Sequence, residues 1–171
     1  MRYPKKRRRV LKKAGLAGLL CALCLLAGGL CIRCAAADEI VCFPLATTAW
    51  RVSDEYGERP DPFTGELRFH QGMDLACAEG TPVRAVQAGV VAAAARSTGY
   101  GNYLHLLHRD GSETWYAHLQ YLYVRPGEVV RAGQTLGTAG QTGRATGAHL
   151  HLELHRQGAA CDPAPLLGLA P

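Results

Sequence analysis

His149-Leu150-His151-Leu152-Glu153-Leu154-His155 alternates strictly between leucine and a residue that ionises or binds metal. Side chains on a β-strand have a period of two. The alternation therefore predicts a strand with Leu150, Leu152 and Leu154 toward a core and His149, His151, Glu153 and His155 on the opposite face. A helix, at about 3.6 residues per turn, would scatter both sets. Imidazoles two positions apart on a strand stand roughly 7 Å apart at the backbone, so both reach one ion or one reacting group. A lone His-x-His is as often a solvated edge strand, and the weight of the reading rests on what else the chain supplies.

Outward from this strand, the chain from Val41 reads as short strands broken by Gly and Pro, with no long segment of helical period. That pattern predicts an all-β fold. Residues 42–45 and 50–53 read as edge segments, since Pro44 cannot donate to a ladder. Residues 56–65 read as a long loop rich in turn formers, of the kind that walls a binding cleft. Residues 89–95 and 102–108 form a hairpin, and residues 113–119 and 121–124 the next pair. In residues 113–119, Thr114, Tyr116 and His118 share one face and Trp115, Ala117 and Leu119 the other, so His118 leaves the core face with Tyr116 beside it. Residues 127–137 read as a compact strand-turn-strand unit. Residues 140–147 are a glycine-rich loop leading into the histidine strand.

Charge divides the 171 residues unevenly. Residues 1–13 hold eight basic side chains and no acid, whereas from Asp38 onward ten arginines face fourteen acids, a formal net charge of −4. The folded part therefore lacks the cationic surface of a nucleic-acid-binding domain. No lysine follows Lys13. Nineteen uncharged, mostly apolar residues, 14–32, follow the basic run. They predict an N-terminal hydrophobic helix that directs export, with the basic flank left inside. Nineteen residues just span a bilayer, and Ala35 and Ala37 suit a small-residue cleavage site. Anchoring in the cytoplasmic membrane and release near Ala37 both stand. Arg7-Arg8-Arg9-Val10-Leu11-Lys12 resembles a twin-arginine export motif. The organisation expected is a leader, 1–37, and one domain, 38–171. Of seven cysteines, Cys42, Cys77 and Cys161 lie in that domain, and an oxidising compartment favours one disulfide among them with one free thiol. Cys42 with Cys161 and Cys77 with Cys161 are the rival pairs.

His70 and Asp74 are four apart, which places both on one face of a strand and equally on one face of a helix. Three ligands drawn from His and Asp or Glu, with water in the fourth position, describe a catalytic zinc site. His70, Asp74 and one of His149 or His151 supply such a set. Neither motif is specific alone. Their occurrence together with His118, in a chain of only seven histidines, carries the weight.

His70-Gln71-Gly72-Met73-Asp74, Trp115-Tyr116-Ala117-His118-Leu119 and His149-Leu150-His151 stand in the order and near the separations of the lysostaphin-like zinc endopeptidases, which cut peptidoglycan cross-bridges. The resemblance covers residues 43–167. It implies an open, antiparallel, two-sheet all-β fold with a groove and no helical zinc motif. It further implies one catalytic Zn2+ held by His70, Asp74 and His151, with His118 and His149 flanking the metal-bound water. Zinc lowers the pKa of its water toward ~7 and polarises the scissile carbonyl. Histidines near neutrality then take and return a proton or stabilise the oxyanion. His118 is assigned as general base and His149 to the oxyanion, roles that could be exchanged, and Tyr116 either adds a hydrogen bond or packs its ring in the core. The substrate implied is a peptidoglycan peptide, stem or cross-link, with no nucleic-acid partner, and the chain is expected to be monomeric. His105, His108, His155 and Glu153 are read as bystanders, with orientation of a metal ligand as the alternative for Glu153 on the face of His151, and Asn102, Arg59 and Thr142 as groove-lining residues.

Three rivals arise from the same residues. Residues 127–137 resemble the barrel hairpin of lipoyl and biotinyl carriers, but such a carrier modifies a lysine and the domain has none. A catalytically inactive, membrane-tethered scaffold or regulator of wall hydrolases is the second, against which the five intact site positions count. An amidase cutting between sugar and peptide is the third.

Overall fold

A computed structural model describes residues 40–169. The expected hydrophobic helix and its export signal lie outside the described residues, among which no helix is long and apolar enough to cross a membrane. The described chain is all-β. Its strands are β1 (Arg51–Asp54), β2 (Gly57–Pro60), β3 (Leu67–His70), β4 (Met73–Ala76), β5 (Pro82–Arg84) and β6 (Gly89–Ser97). They continue as β7 (Gly101–His108), β8 (Glu113–Leu122), β9 (Val129–Val130), β10 (Thr135–Ala139), β11 (His149–Arg156) and β12 (Ala159–Cys161). Every pairing is antiparallel. The large sheet runs β1-β4-β11-β8-β7-β6-β9, with β12 on β11 and β10 bridging β8 to β5, and β2 and β3 form a separate two-stranded sheet.

β11 is a central strand, held by β4 on one side and β8 on the other. Leu150 and Leu152 are fully buried and Leu154 nearly so, each burial being worth about 1.5–3 kcal/mol. Leu150 and Leu152 join Leu104, Leu106, Tyr116, Leu119 and Leu136 in one core. The alternation therefore reads as expected, with a difference. His149, His151 and Glu153 on the opposite face are buried too, so this face is not a solvated edge.

β8 is one continuous strand where two are expected. It changes partner along its length, pairing β11 through Glu113–Ala117 and β10 through Leu119–Leu122. Against β7 the register slips by one residue between Asn102↔Leu119 and Leu104↔Tyr116. The extra residue is accommodated at His118, whose φ is +60°. Such a bulge re-aims a side chain and inverts the parity of the residues beyond it. Thr114 and Tyr116 consequently face the core, and so does Leu119, while His118 leaves it. The face shared by Tyr116 and His118 in the sequence reading does not exist.

Three further expectations change. Residues 57–60 and 67–70 are the paired strands of a hairpin, not a loop, and the turn between them overhangs a cleft. β9 and β10 do not pair with each other; β9 adds to β6 and β10 to β5 and β8, so residues 127–137 are not two strands paired as a hairpin. Cys42, Cys77 and Cys161 are all free thiols.

Candidate active site

Asp74 and His151 are directly opposite one another across the β4–β11 ladder. His70 ends β3, in the small sheet, so the two ends of the His-x-x-x-Asp motif sit on different strands. Between them Gly72 permits the chain to pass against β11: a Cβ there would come within 2.4 Å of the Leu152 carbonyl oxygen. His151 Nδ1 lies 2.7 Å and His70 Nε2 3.3 Å from Asp74 Oδ1, and the two nitrogens are 3.1 Å apart. Two ring nitrogens and a carboxylate oxygen thus converge within 4.8 Å, and each is mostly buried.

The ring orientations are set by what each histidine donates on its far side. His70 Nδ1 donates to the Glu55 carbonyl at 2.7 Å, leaving Nε2 toward Asp74. His118 Nδ1 donates to the Thr142 carbonyl and His149 Nδ1 to the Gly147 carbonyl, each at 2.8 Å. Both therefore turn Nε2 toward the same space, with ring centroids 4.7 Å apart. His149 Nε2 is buried with no hydrogen-bond partner and lies 3.7 Å from Asp74 Oδ2. Buried polar atoms of this kind are rare and point to a ligand. His151 is reversed: Nε2 donates to Glu153 Oε1 at 2.9 Å, so Nδ1 faces the cluster.

Charge follows this geometry. Burial pushes the Asp74 carboxyl up, but hydrogen bonds from His151 and His70 outweigh it and hold it far below the usual carboxylate range. Burial alone would lower His151, yet its bonds to Asp74 and Glu153 hold it up at about 9. For His118 burial dominates and lowers it to about 4, so its Nε2 is a free base at neutral pH.

His70, Asp74, His118, His149 and His151 line one cleft. Its walls are the β2–β3 turn, through Asp61, Pro62 and Phe63, and residues 144–146 of the glycine-rich loop. A model of peptidase family M23 matches residues 68–163, the stretch that carries all five side chains. The chain belongs to peptidase family M23.

Other likenesses agree with that placement. The M23 chain is 42% identical over 120 residues to the DD-carboxypeptidase/endopeptidase Mpg of Neisseria meningitidis, covering 70% of this chain and 27% of that protein. The chain thus spans about a quarter of the length of such relatives. It superposes on the catalytic domain of the antimicrobial peptidase lysostaphin from Staphylococcus simulans with a TM-score of 0.64 at 35% identity, covering 70% of this chain and 92% of that one. With a zinc-containing peptidase from Vibrio cholerae the TM-score is 0.68 at 31% identity, over 75% and 39% of the two chains.

Of the residues read from sequence, the M23 fold brings together His70, Asp74, His118, His149 and His151, and Arg59 lines the cleft with them. Tyr116 is not in the site. It is fully buried in the core, where its hydroxyl accepts from the Val86 N–H at 2.9 Å and meets Thr114 Oγ1 at 3.0 Å. Asn102 and Thr142 do not line the cleft either. The Asn102 amide donates to the Leu119 and Gln120 carbonyls and the Thr142 hydroxyl to the Leu119 carbonyl, bracing β8 beside its bulge.

Glu153 is no bystander. At 1% exposure it accepts from His151, from His155 Nε2 at 2.6 Å and from the Tyr100 hydroxyl at 2.8 Å. Its place two residues after His151, on the same face, is the signal that the sequence offers. Tyr100 has no such signal, because it reaches the site from the β6–β7 turn. Its hydroxyl holds Glu153 and its carbonyl accepts the His118 backbone N–H at 2.9 Å.

Proposed function

We propose that this M23 domain is a zinc-dependent endopeptidase that hydrolyses peptide cross-links or stems of bacterial peptidoglycan. The single observation that carries the reading is the convergence of His70 Nε2, Asp74 Oδ1 and His151 Nδ1 in one buried cluster with two further imidazole Nε2 atoms beside it. Two imidazoles and a carboxylate are a donor set suited to zinc, and three protein ligands leave a position for water or substrate. A relative in Vibrio cholerae named peptidoglycan DD-endopeptidase ShyC, 41% identical over 114 residues, supports the substrate class.

His70, Asp74 and His151 would hold the metal, the two imidazoles each turned to it by an outer hydrogen bond. Zinc bound there supplies a Lewis acid for the scissile carbonyl and a water acidic enough to attack near neutral pH. His118, neutral and with Nε2 free, takes the proton of the attacking water and returns it to the leaving amine. His149, whose Nε2 lacks a partner in the protein and faces the same space, is assigned to the developing oxyanion. Action on the cell wall requires export, for which residues 1–37 are the candidate leader.

The test is a digest. Purified protein should bind about one zinc and release new amines from peptidoglycan, read by metal analysis and by mass spectrometry of the fragments. Protein that binds no zinc and leaves every wall type uncut would refute this reading in favour of a scaffold. The same fragments identify the bond.

A further inference from the structure

Arg144 stands on the cleft wall and takes no part in the proposed chemistry. Its backbone is fixed. Its N–H donates to the Gly99 carbonyl at 2.8 Å, and the preceding Gly143, at φ +73°, packs so tightly that a Cβ would come within 2.2 Å of the Gly101 nitrogen. Its side chain is fixed as well. Nη2 donates to both oxygens of Asp61 at 2.6 and 2.8 Å, and the guanidinium carbon lies 4.6 Å from the centre of the Phe63 ring. Asp61 in turn is held by the N–H groups of Phe63 and Thr64 at 2.9 and 3.0 Å.

This is more order than an ion pair at the rim of a cleft requires for stability, where such pairs contribute at most about 1 kcal/mol. Only one of the three guanidinium nitrogens is used: Nε and Nη1 have no partner among the described residues, and the side chain is 42% exposed. Phe63, at the tip of the β2–β3 turn, is 52% exposed and serves the arginine rather than the core. Donors that are immobilised and left unsatisfied at the wall of a peptide site have already lost the rotamer entropy that binding would otherwise cost. Guanidinium is the group suited to a carboxylate.

We propose that Arg144 is a specificity-determining residue which receives, through a free N–H of Nη1 or of Nε, a free carboxylate of the peptide bound in the cleft. It selects acidic peptides over the same peptides in amidated form. The proposal rests on the endopeptidase reading for its substrate. The competing explanation is that Arg144 only neutralises Asp61 and steadies the turn.

The experiment uses the zinc-loaded full chain and paired wall peptides that differ only in a free carboxylate or a carboxamide beside the scissile bond. Wild type should favour the acid by about tenfold or more in kcat/KM, the worth of one charge-assisted hydrogen bond. In Arg144→Gln the ratio should fall to near one, mainly through KM. A merely structural role would lower the melting temperature and both rates together and leave the ratio unchanged, which would overturn the proposal, as would a wild-type ratio near one. Calorimetric binding of both peptides to His118→Ala, with and without Arg144→Gln, gives the same comparison without turnover. If nothing is cut, the endopeptidase reading fails, and these affinities still decide whether Arg144 selects a carboxylate.

Discussion

Glu153→Gln removes one charge from the site and leaves its shape intact. The wild-type carboxylate, 1% exposed, accepts from His151 Nε2 and thereby obliges that ring to present Nδ1 to the metal. A hydrogen bond to a charged group is worth about 1.5–3 kcal/mol against about 1 for a neutral pair. Gln keeps the acceptor Oε1 and loses the charge. The loss at His151 is therefore about 0.5–2 kcal/mol, with a midpoint near tenfold in zinc affinity at ~1.4 kcal/mol per decade. That sits at the lower end of the ~10–100-fold cost of removing a partner behind a metal ligand. Glu153→Ala, which removes the acceptor altogether, should approach the upper end. Zinc competition against a chromogenic chelator measures both, with circular dichroism to establish that each variant is folded. A folded Glu153→Ala whose zinc affinity stays within about twofold of wild type would refute the claim that Glu153 sets the His151 tautomer.

His118→Ala should retain zinc in metal analysis while turnover falls by about 10²–10⁴, the usual worth of a general base; loss of the metal would make His118 a ligand instead. Tyr116→Phe leaves the Val86 N–H buried without its acceptor and should cost about 1–3 kcal/mol in urea unfolding, with kcat unchanged. A kcat loss beyond tenfold would return Tyr116 to the site. The two shifted histidines oppose one another in the metal-free protein. His118, lowered to about 4, stays neutral in the fold while the unfolded chain protonates near 6.5, so it destabilises as pH falls from about 6.5 toward 4. His151, raised to about 9, contributes stability that is present below about 6.5 and lost as pH rises through 9. Near pH 7.5 zinc must therefore displace the His151 Nδ1 proton, and calorimetry in buffers of different ionisation heat should find about one proton released per zinc. No release would refute Nδ1 as the ligand atom.

How far the sequence can be read depends on whether parity survives along each strand. β11 runs for eight residues opposite three partners without a bulge, so Leu150 and His151 fall where alternation puts them. In β8 one extra residue at His118 inverts the parity, and no glycine marks the positive φ there. Alternation still puts His118 on the outer face, but it wrongly carries Tyr116 along. β2 escapes detection because Gly57-Glu58-Arg59-Pro60 has the composition of a turn, and only pairing with β3 makes it a strand. Residues 127–137 read as a hairpin because local spacing cannot tell that β9 and β10 seek distant partners. Glu153 is misread for a different reason: solvent exposure is a property of the whole sheet, and β11 is central.

Three of the four cleft imidazoles are aligned by carbonyl oxygens, at positions 55, 142 and 147. A carbonyl belongs to the main chain and persists whatever amino acid the codon specifies. These three alignments are therefore shielded from point mutation, and positions 55 and 147, unlike 142 with its bracing hydroxyl, are free to drift, which is also why no motif records them. His151 alone is aligned by a side chain. In a saturation library scored for zinc retention, intolerance among the aligning positions should concentrate at 153, while 55 and 147 accept most replacements.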